Sequence, residues 1–283
     1  MMYKLGIIGN PLGHSISPII QKAGFKSIGL DVQYDLLETT GEDLIERIKF
    51  LKNNGYDGFN VTIPLKIPIL FFVDKFDDYV DIAGCTNTVK ITGENRMLEA
   101  YNTDIYGFKT AIPEDVDLKD KHACILGTGG ASRAATVGLI EKGISSIDFF
   151  SRNIINAEEG VNYLRKKFPK VTFGLKQIQY IGELPNTAIV VNATPVGMLG
   201  FAADEKPLSD EVIETLDKKT VVYDIVYNPL NTVLLKSAQK AGLRTVSGLD
   251  MLLYQAQRAI QIWTGKTPDV RDMKIAALES VVK

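Results

Sequence analysis

Lys66 closes the segment Asn60-Val61-Thr62-Ile63-Pro64-Leu65-Lys66, and Asp104 stands in Asn102-Thr103-Asp104 with Gly107 just beyond. A lysine and an aspartate facing one ligand suit proton transfer to or from an oxygen. Each also has a plainer reading, Lys66 as a surface lysine and Asp104 as the N-cap of a helix. Two hydroxyls, Ser15 and Ser17, lie one residue apart in Gly13-His14-Ser15-Ile16-Ser17-Pro18. Helix capping accounts for one such serine. Paired hydroxyls at the end of a strand can also hydrogen-bond a carboxylate. His14, beside a tight turn, reads as a residue that orients the loop. The only other histidine is His122, so a Ser-His-Asp triad and a multi-histidine metal site are close to excluded, and no metal is expected.

A second kind of site is written in Gly127-Thr128-Gly129-Gly130-Ala131-Ser132. Glycines there let the backbone turn tightly from a strand into a helix and approach a pyrophosphate, which the helix N-terminus attracts. Ser132 occupies a position where the dinucleotide fingerprint has Gly or Ala. Dinucleotide-binding chains that use NAD place an acid at the end of the next strand. Here that end reads Asp148-Phe149-Phe150-Ser151-Arg152-Asn153. Asp148 comes too early, and Arg152 can pair with a 2′-phosphate and stack on an adenine, which favours NADP(H). The plain alternative is an ordinary surface arginine.

The elements that position these residues follow from the hydrophobic pattern. Short β-branched runs alternate with amphipathic stretches, the mark of an α/β chain with parallel strands. Strands are expected at 4–9, 32–37, 57–63, 86–91 and 97–101, the last two joined by a turn at 92–95. Helices are expected from about 17 and over 41–54, the latter with Leu44, Ile45 and Ile48 on its apolar face. Another helix opens at 102–107. The pattern then starts afresh with strands at 122–126, 146–150, 188–192, 221–225 and 244–246. Between them come helices from the glycine turn to about 142, and at 157–167, 210–216 and 231–241. Two helices, about 249–263 and 270–281, finish the chain. The boundaries fall near 104 and 248. The fold class is α/β: an N-terminal α/β substrate domain over 1–103 with 248–283, an NADP-binding Rossmann-like domain over 104–247, and a ligand cleft between them.

Composition excludes other classes. The chain has 283 residues, 45% hydrophobic and 23% charged, as globular proteins do. Its 32 basic and 34 acidic residues give a net charge of -2, so neither nucleic acid nor a membrane is expected as a partner. No 18-residue apolar run exists, and the N-terminus turns polar too soon for a signal peptide. Cys85 and Cys124 show no metal spacing and read as buried or free thiols of a cytoplasmic protein.

Eight segments in this order resemble the shikimate dehydrogenase family across essentially the whole chain: 13–18, 60–66, Gly-Cys-Thr-Asn-Thr at 84–88, Asn-Thr-Asp-Ile-Tyr-Gly at 102–107, 127–133, Asn-Ala-Thr-Pro-Val-Gly at 192–197, Asp-Ile-Val-Tyr-Asn-Pro at 224–229 and 247–255. The resemblance implies an NADP-dependent oxidoreductase that interconverts 3-dehydroshikimate and shikimate, on the way to chorismate and the aromatic amino acids. It implies Lys66 and Asp104 as the catalytic pair and Ser15 and Ser17 as the holders of the substrate carboxylate. Thr62, Asn87, Asp104 and Gln255 contact the ring hydroxyls in this reading, with Tyr227 near the carboxylate. Asp78, Gly127, Thr128, Gly129, Gly130, Ala131, Ser151, Arg152, Asn153, Ile225 and Gly248 line the cofactor. The family often continues Ser-Pro toward His-Asn where this chain has Ile19-Ile20-Gln21-Lys22, and its arginine turn is usually Asn-Arg-Thr. Two alternatives stay open. One is a quinate-preferring relative that uses NAD or NADP, and the other an NADP-binding regulatory protein without turnover. A homodimer is left open as the assembly.

Overall fold

The structure, a computed structural model, describes residues 2–281. It divides into two compact units, Met1–Gly107 with Leu253–Lys283, and Phe108–Leu252.

The first unit opens with β1 (Met2–Gly9), α1 (Ser17–Ser27), β2 (Asp31–Glu38), α2 (Leu44–Asn53) and β3 (Gly58–Val61). It continues with β4 (Lys75–Phe76), α3 (Asp78–Ala83), β5 (Thr88–Thr92), β6 (Met97–Tyr101) and the start of α4 (Thr103–Ala111). The strands form a sheet ordered β2-β1-β3-β5-β6-β4. β1 pairs in parallel with β2 and β3, whereas β5 runs antiparallel to β3 and β6. The pair of strands expected at 86–91 and 97–101 is present as an antiparallel hairpin: the short link between β5 and β6 permits a hairpin but not the crossover that a parallel pair needs. A correction concerns α2. It buries Leu44, Ile48 and Leu51, and Ile45 is 50% exposed. Positions i, i+4 and i+7 share one face, and i+1 lies about 100° away from it. Each of the three buried side chains contributes about 1.5–3 kcal/mol.

The second unit carries β7 (His122–Leu126), α5 (Gly130–Glu141), β8 (Ser146–Ser151), α6 (Ile154–Lys167), β9 (Thr172–Gln177) and β10 (Thr187–Asn192). Then come α7 (Asp210–Glu214), β11 (Val221–Asp224), α8 (Val233–Lys240) and β12 (Arg244–Ser247). Its six strands are all parallel, in the order β12-β11-β10-β7-β8-β9. The strand order reverses direction at β7, the first strand of the unit. In such sheets ligands bind beyond the carboxyl ends of the strands. Ile125, Ile147, Phe149, Ile189, Val191 and Tyr223 build the core on one face, and Leu126, Val190, Val222 and Leu235 belong to the core cluster on the other. α9 (Gly248–Thr264) returns the chain to the first unit, where Trp263 Nε1 donates to Val89 O at 3.0 Å. α10 (Val270–Val281) packs on α1. Among the described residues no helix is long and apolar enough to cross a membrane. Cys85 and Cys124 are buried, and burial pushes the Cys124 thiol up to about 11.

His122, half-buried at the start of β7, is a titrating residue of the second unit. Its Nδ1 meets Ser146 Oγ at 3.0 Å, and its Nε2 faces Asp148 Oδ2 at 3.6 Å. Burial holds its pKa below the ordinary 6.5, and the Asp148 carboxylate opposes that shift. The unfolded chain therefore takes up the proton first. The contribution of His122 to stability is present above pH 6.5 and is lost as the pH falls below that value and through the lower folded pKa. Urea titrations from neutral to mildly acidic pH are expected to show wild-type protein losing more stability than His122→Gln. Parallel losses in the two proteins would contradict a neutral, half-buried His122.

Candidate active site

The turn after β3 places Lys66. Thr62 N donates to Ile8 O at 2.9 Å, and Leu65 N donates to Thr62 O at 2.8 Å, closing a tight turn. Leu65 is fully buried and anchors the turn. The next backbone carbonyl, that of Lys66, accepts from Thr86 N at 2.9 Å. The Lys66 side chain is thereby launched from a fixed backbone, and its Nζ lies 2.5 Å from Asp104 Oδ2. The two side chains are only 14% and 7% exposed. Lys66 is not a surface lysine.

Asp104 is not an N-cap either. It sits in the first turn of α4, where the helix dipole favours an anion. The capping contact belongs to Asn102, whose Oδ1 accepts from Ile105 N at 3.3 Å while its Nδ2 donates to Cys85 O at 2.9 Å. That leaves both Asp104 oxygens for side chains: Oδ2 takes Lys66, and Oδ1 accepts from Asn87 Nδ2 at 2.8 Å. Asn87 Nδ2 also reaches Thr103 Oγ1 at 2.9 Å and Gln255 Oε1, on α9, at 3.2 Å. Asn87 Oδ1 accepts from Thr103 N at 2.7 Å. Lys66, Asn87, Asp104 and Gln255, singled out far apart in the sequence, thus form one buried network in the first unit.

Two members of that network were not assigned by sequence reasoning. Thr103 bridges Asn87 and Gln255. Asn60 donates to Asn87 O at 3.1 Å and Thr88 Oγ1 at 3.0 Å, and accepts from Tyr34 OH at 2.6 Å. The available signal was a lone amide in the otherwise apolar, fully buried strand β3.

Ser15 and Ser17 face one another, Oγ to Oγ at 3.1 Å, and Ser17 N donates to Ser15 Oγ at 3.3 Å. The N-cap position of α1 is Ile16, with no side-chain capping bond. Neither hydroxyl is consumed as a cap. His14 is exposed in the same loop. Thr62 is half-buried in the turn that leads to Lys66, and Tyr227 is half-buried after β11 in the second unit.

In the second unit Gly127 ends β7 with φ +100°, a conformation open to glycine, and a Cβ there would come within 3.1 Å of Ala193 O. Ser132 explains its own departure from the fingerprint: it is fully buried, and its Oγ donates to Gly127 O at 2.9 Å, closing the turn from within. Gly129 caps α5, and a Cβ there would meet nothing within 4 Å. The space in front of the helix that a side chain would fill is open, and the first backbone N–H groups of α5 lack intrahelical partners. This fits a pyrophosphate. Thr128, Gly130 and Ala131 complete the turn. At the end of β8, Ser151 Oγ and Asn153 bond one another across the turn, and Asn153 Oδ1 accepts from Asn156 N at 3.1 Å to cap α6. Arg152 rides exposed at the tip of that turn and forms no ion pair among the described residues. Ile225 and Gly248 lie against each other: a Cβ on Gly248 would stand 2.0 Å from Ile225 O. Asp78 is exposed in the first turn of α3, in the first unit rather than with the glycine turn.

A parallel α/β unit with a glycine-rich strand-to-helix turn and an arginine after the next strand, in one chain with a buried lysine–aspartate pair, defines the class of dinucleotide-dependent oxidoreductases. Comparison with known proteins narrows this. Residues 7–89 match the shikimate dehydrogenase substrate binding domain, and residues 248–278 the shikimate 5′-dehydrogenase C-terminal domain. A shikimate dehydrogenase (NADP(+)) of Methanocaldococcus jannaschii is 38% identical over 283 residues, covering 99% of this chain and 97% of the relative. A crystal structure of a shikimate dehydrogenase in complex with NADP+ superposes with a TM-score of 0.89 at 37% identity, covering 100% of this chain and 96% of the other. The Thermus thermophilus enzyme, in complex with NADP(H) and shikimate, gives 0.84 at 31% identity, covering 99% of this chain and 100% of the other. The chain belongs to the shikimate dehydrogenase family.

Proposed function

We propose that this protein catalyses the reversible NADPH-dependent reduction of 3-dehydroshikimate to shikimate, with the first unit holding the substrate and the second the cofactor. The observation that carries the reading is the buried network in which Lys66 Nζ, Asp104 and Asn87 meet. It supplies a mobile proton and a fixed positive charge in a chain of this family.

NADP(H), when bound, supplies or accepts the hydride. Gly127, Thr128, Gly129, Gly130 and Ala131 hold its pyrophosphate, and Ser151, Arg152 and Asn153 its 2′-phosphate. Asp78, Ile225 and Gly248 are assigned to its remaining contacts. The rest of the reaction belongs to the first unit. As the ring carbonyl is reduced, negative charge grows on its oxygen, and the Lys66 ammonium stabilises that charge and provides the proton. Asp104 holds the ammonium in place and accepts a ring hydroxyl. Asn87 keeps the Asp104 carboxylate turned toward Lys66. Thr62, Asn87 and Gln255 bind ring hydroxyls. Ser15 and Ser17 grip the substrate carboxylate with hydroxyls that no helix cap consumes, and Tyr227 adds to that grip.

Quinate carries an extra hydroxyl on the carbon that bears the carboxylate, where the two serine hydroxyls converge. With NADP+ and either acid, kcat/KM for quinate is expected to be at least about tenfold below that for shikimate, roughly 1.4 kcal/mol of discrimination. Equal or faster quinate oxidation would overturn the substrate assignment in favour of a quinate dehydrogenase.

A further inference from the structure

Of two sequence motifs, Asn192–Gly197 has no role so far, and Asp224–Pro229 has one only through Ile225 and Tyr227. They end neighbouring parallel strands, β10 and β11, and a single side chain joins them. Asp224 is fully buried. Its Oδ1 accepts from Asn192 Nδ2 at 2.9 Å and from Val226 N at 3.1 Å, and its Oδ2 accepts from Thr232 Oγ1 at 2.6 Å. Asn192 passes the tie onward: Nδ2 donates to Val196 O at 3.1 Å, and Oδ1 accepts from Thr194 N at 3.0 Å and Thr194 Oγ1 at 2.6 Å. Leu199 N donates to Asn228 O at 2.8 Å, stitching the two loops together directly.

Each loop also abuts a glycine of the proposed cofactor site. A Cβ on Gly127 would press on Ala193 and Thr194, and one on Gly248 would strike the Ile225 and Val226 carbonyls. The loops therefore form the wall against which the glycine turn and the start of α9 are seated, at the end of the sheet where ligands bind.

We propose that Asp224 is a positioning residue for the dinucleotide: it touches no part of the ligand, and it sets the geometry of the site by tying the loops at 193–199 and 225–229 into one rigid wall. This rests on the reading of the second unit as the NADP-binding unit. A carboxylate suits the task because it offers two acceptor oxygens to three donors from three different segments. Burial pushes its pKa up to about 6, and the groups that oppose the shift, Thr232, Val226 and Asn192, are uncharged hydrogen-bond donors. An amide can replace the carboxylate. The Oδ1 of an asparagine still accepts from Asn192 and Val226, and its Nδ2 donates to the Thr232 hydroxyl oxygen.

The test compares Asp224→Leu, which has the size without the acceptors, with Asp224→Asn. NADPH affinity is read by titrating the reduced-nicotinamide fluorescence, and loop rigidity by amide exchange of the ligand-free protein. Asp224→Leu is expected to weaken NADPH binding about tenfold to a hundredfold. It should also speed exchange at 193–199 and 225–229, while β7 and β8 stay protected. Asp224→Asn should stay near wild type in all of these. Should Asp224→Leu not fold, Thr232→Val removes one strut, and the same direction of change is expected, smaller in size. Unchanged NADPH affinity in a folded Asp224→Leu, or an equal loss in Leu and Asn variants, would overturn the proposal. Wild-type protein that binds no NADPH would instead overturn the functional reading on which it rests.

Discussion

Lys66→Met is expected to lower kcat by about 10²–10⁴-fold, the range general acid–base groups contribute, while substrate affinity changes only several-fold. Methionine keeps the length of the stem and removes the ammonium. The turn that launches the side chain is held by backbone bonds from Thr62 and Leu65 and by the buried Leu65, none of which involves the lysine Nζ. The cost to the fold comes from the partner: Asp104 becomes a buried carboxylate without its cation, and breaking a buried pair in this way costs about 3–5 kcal/mol. Asn87 and the first turn of α4 offset part of that cost. A lowered melting temperature with native circular dichroism is thus part of the expected result. The loss falls on the chemical step because the ammonium is needed most where the alkoxide charge develops. A raised KM with an unchanged kcat would reassign Lys66 to substrate binding. Near-normal turnover would leave Asp104 as the remaining candidate.

Arg152→Ala is expected to raise the KM for NADP+ by about tenfold to a hundredfold and to leave that for NAD+ nearly unchanged. A charge-assisted hydrogen bond to a phosphate is worth about 1.5–3 kcal/mol. The structure sharpens this expectation. The arginine stands exposed on a turn whose shape is fixed by its neighbours, Ser151 bonding Asn153 and Asn153 capping α6. Removing the guanidinium leaves the turn intact, so the effect isolates the 2′-phosphate. Equal losses for both cofactors would mean that Arg152 stacks on the adenine or shapes the loop, and the case for NADP selectivity from this residue would fail.

Much of this architecture is legible in the sequence where local chemistry decides it. The parallel strands of the second unit are unbroken apolar runs such as Ala123–Leu126, and the glycine turn and Pro18 mark helix starts. The elements that escaped are those whose reason lies elsewhere in the chain. β9 reads Thr-Phe-Gly-Leu-Lys-Gln, a run interrupted by glycine, and it is a strand because β8 pairs with it. β4 has two residues and no pattern of its own. α3 is short, and it is set by an Asp77 cap and by Gly84 in the left-handed region. Ile45 is apolar yet exposed, so composition placed it on the wrong face. In the site, residue types pointed to Lys66 and Asp104, but not to their burial. Nor could spacing show that Asn102 takes the capping role, that Ser132 locks the glycine turn, or that Asp224 joins two loops. Each of these depends on partners brought close by the strand order.

The account turns on one chemical claim, that this chain moves a hydride between shikimate and NADP+ under the control of the Lys66–Asp104 pair. The most direct measurement mixes purified wild-type protein with shikimate and NADP+ and follows the absorbance of the reduced nicotinamide. Asp104→Asn, which keeps the shape and removes the carboxylate, is run beside it. The account predicts steady production of NADPH by the wild type, a fall of about 10²–10⁴-fold in the variant, and reversal when 3-dehydroshikimate and NADPH are supplied instead. A folded wild-type protein that produces no NADPH from shikimate, or an Asp104→Asn variant as fast as the wild type, would contradict it.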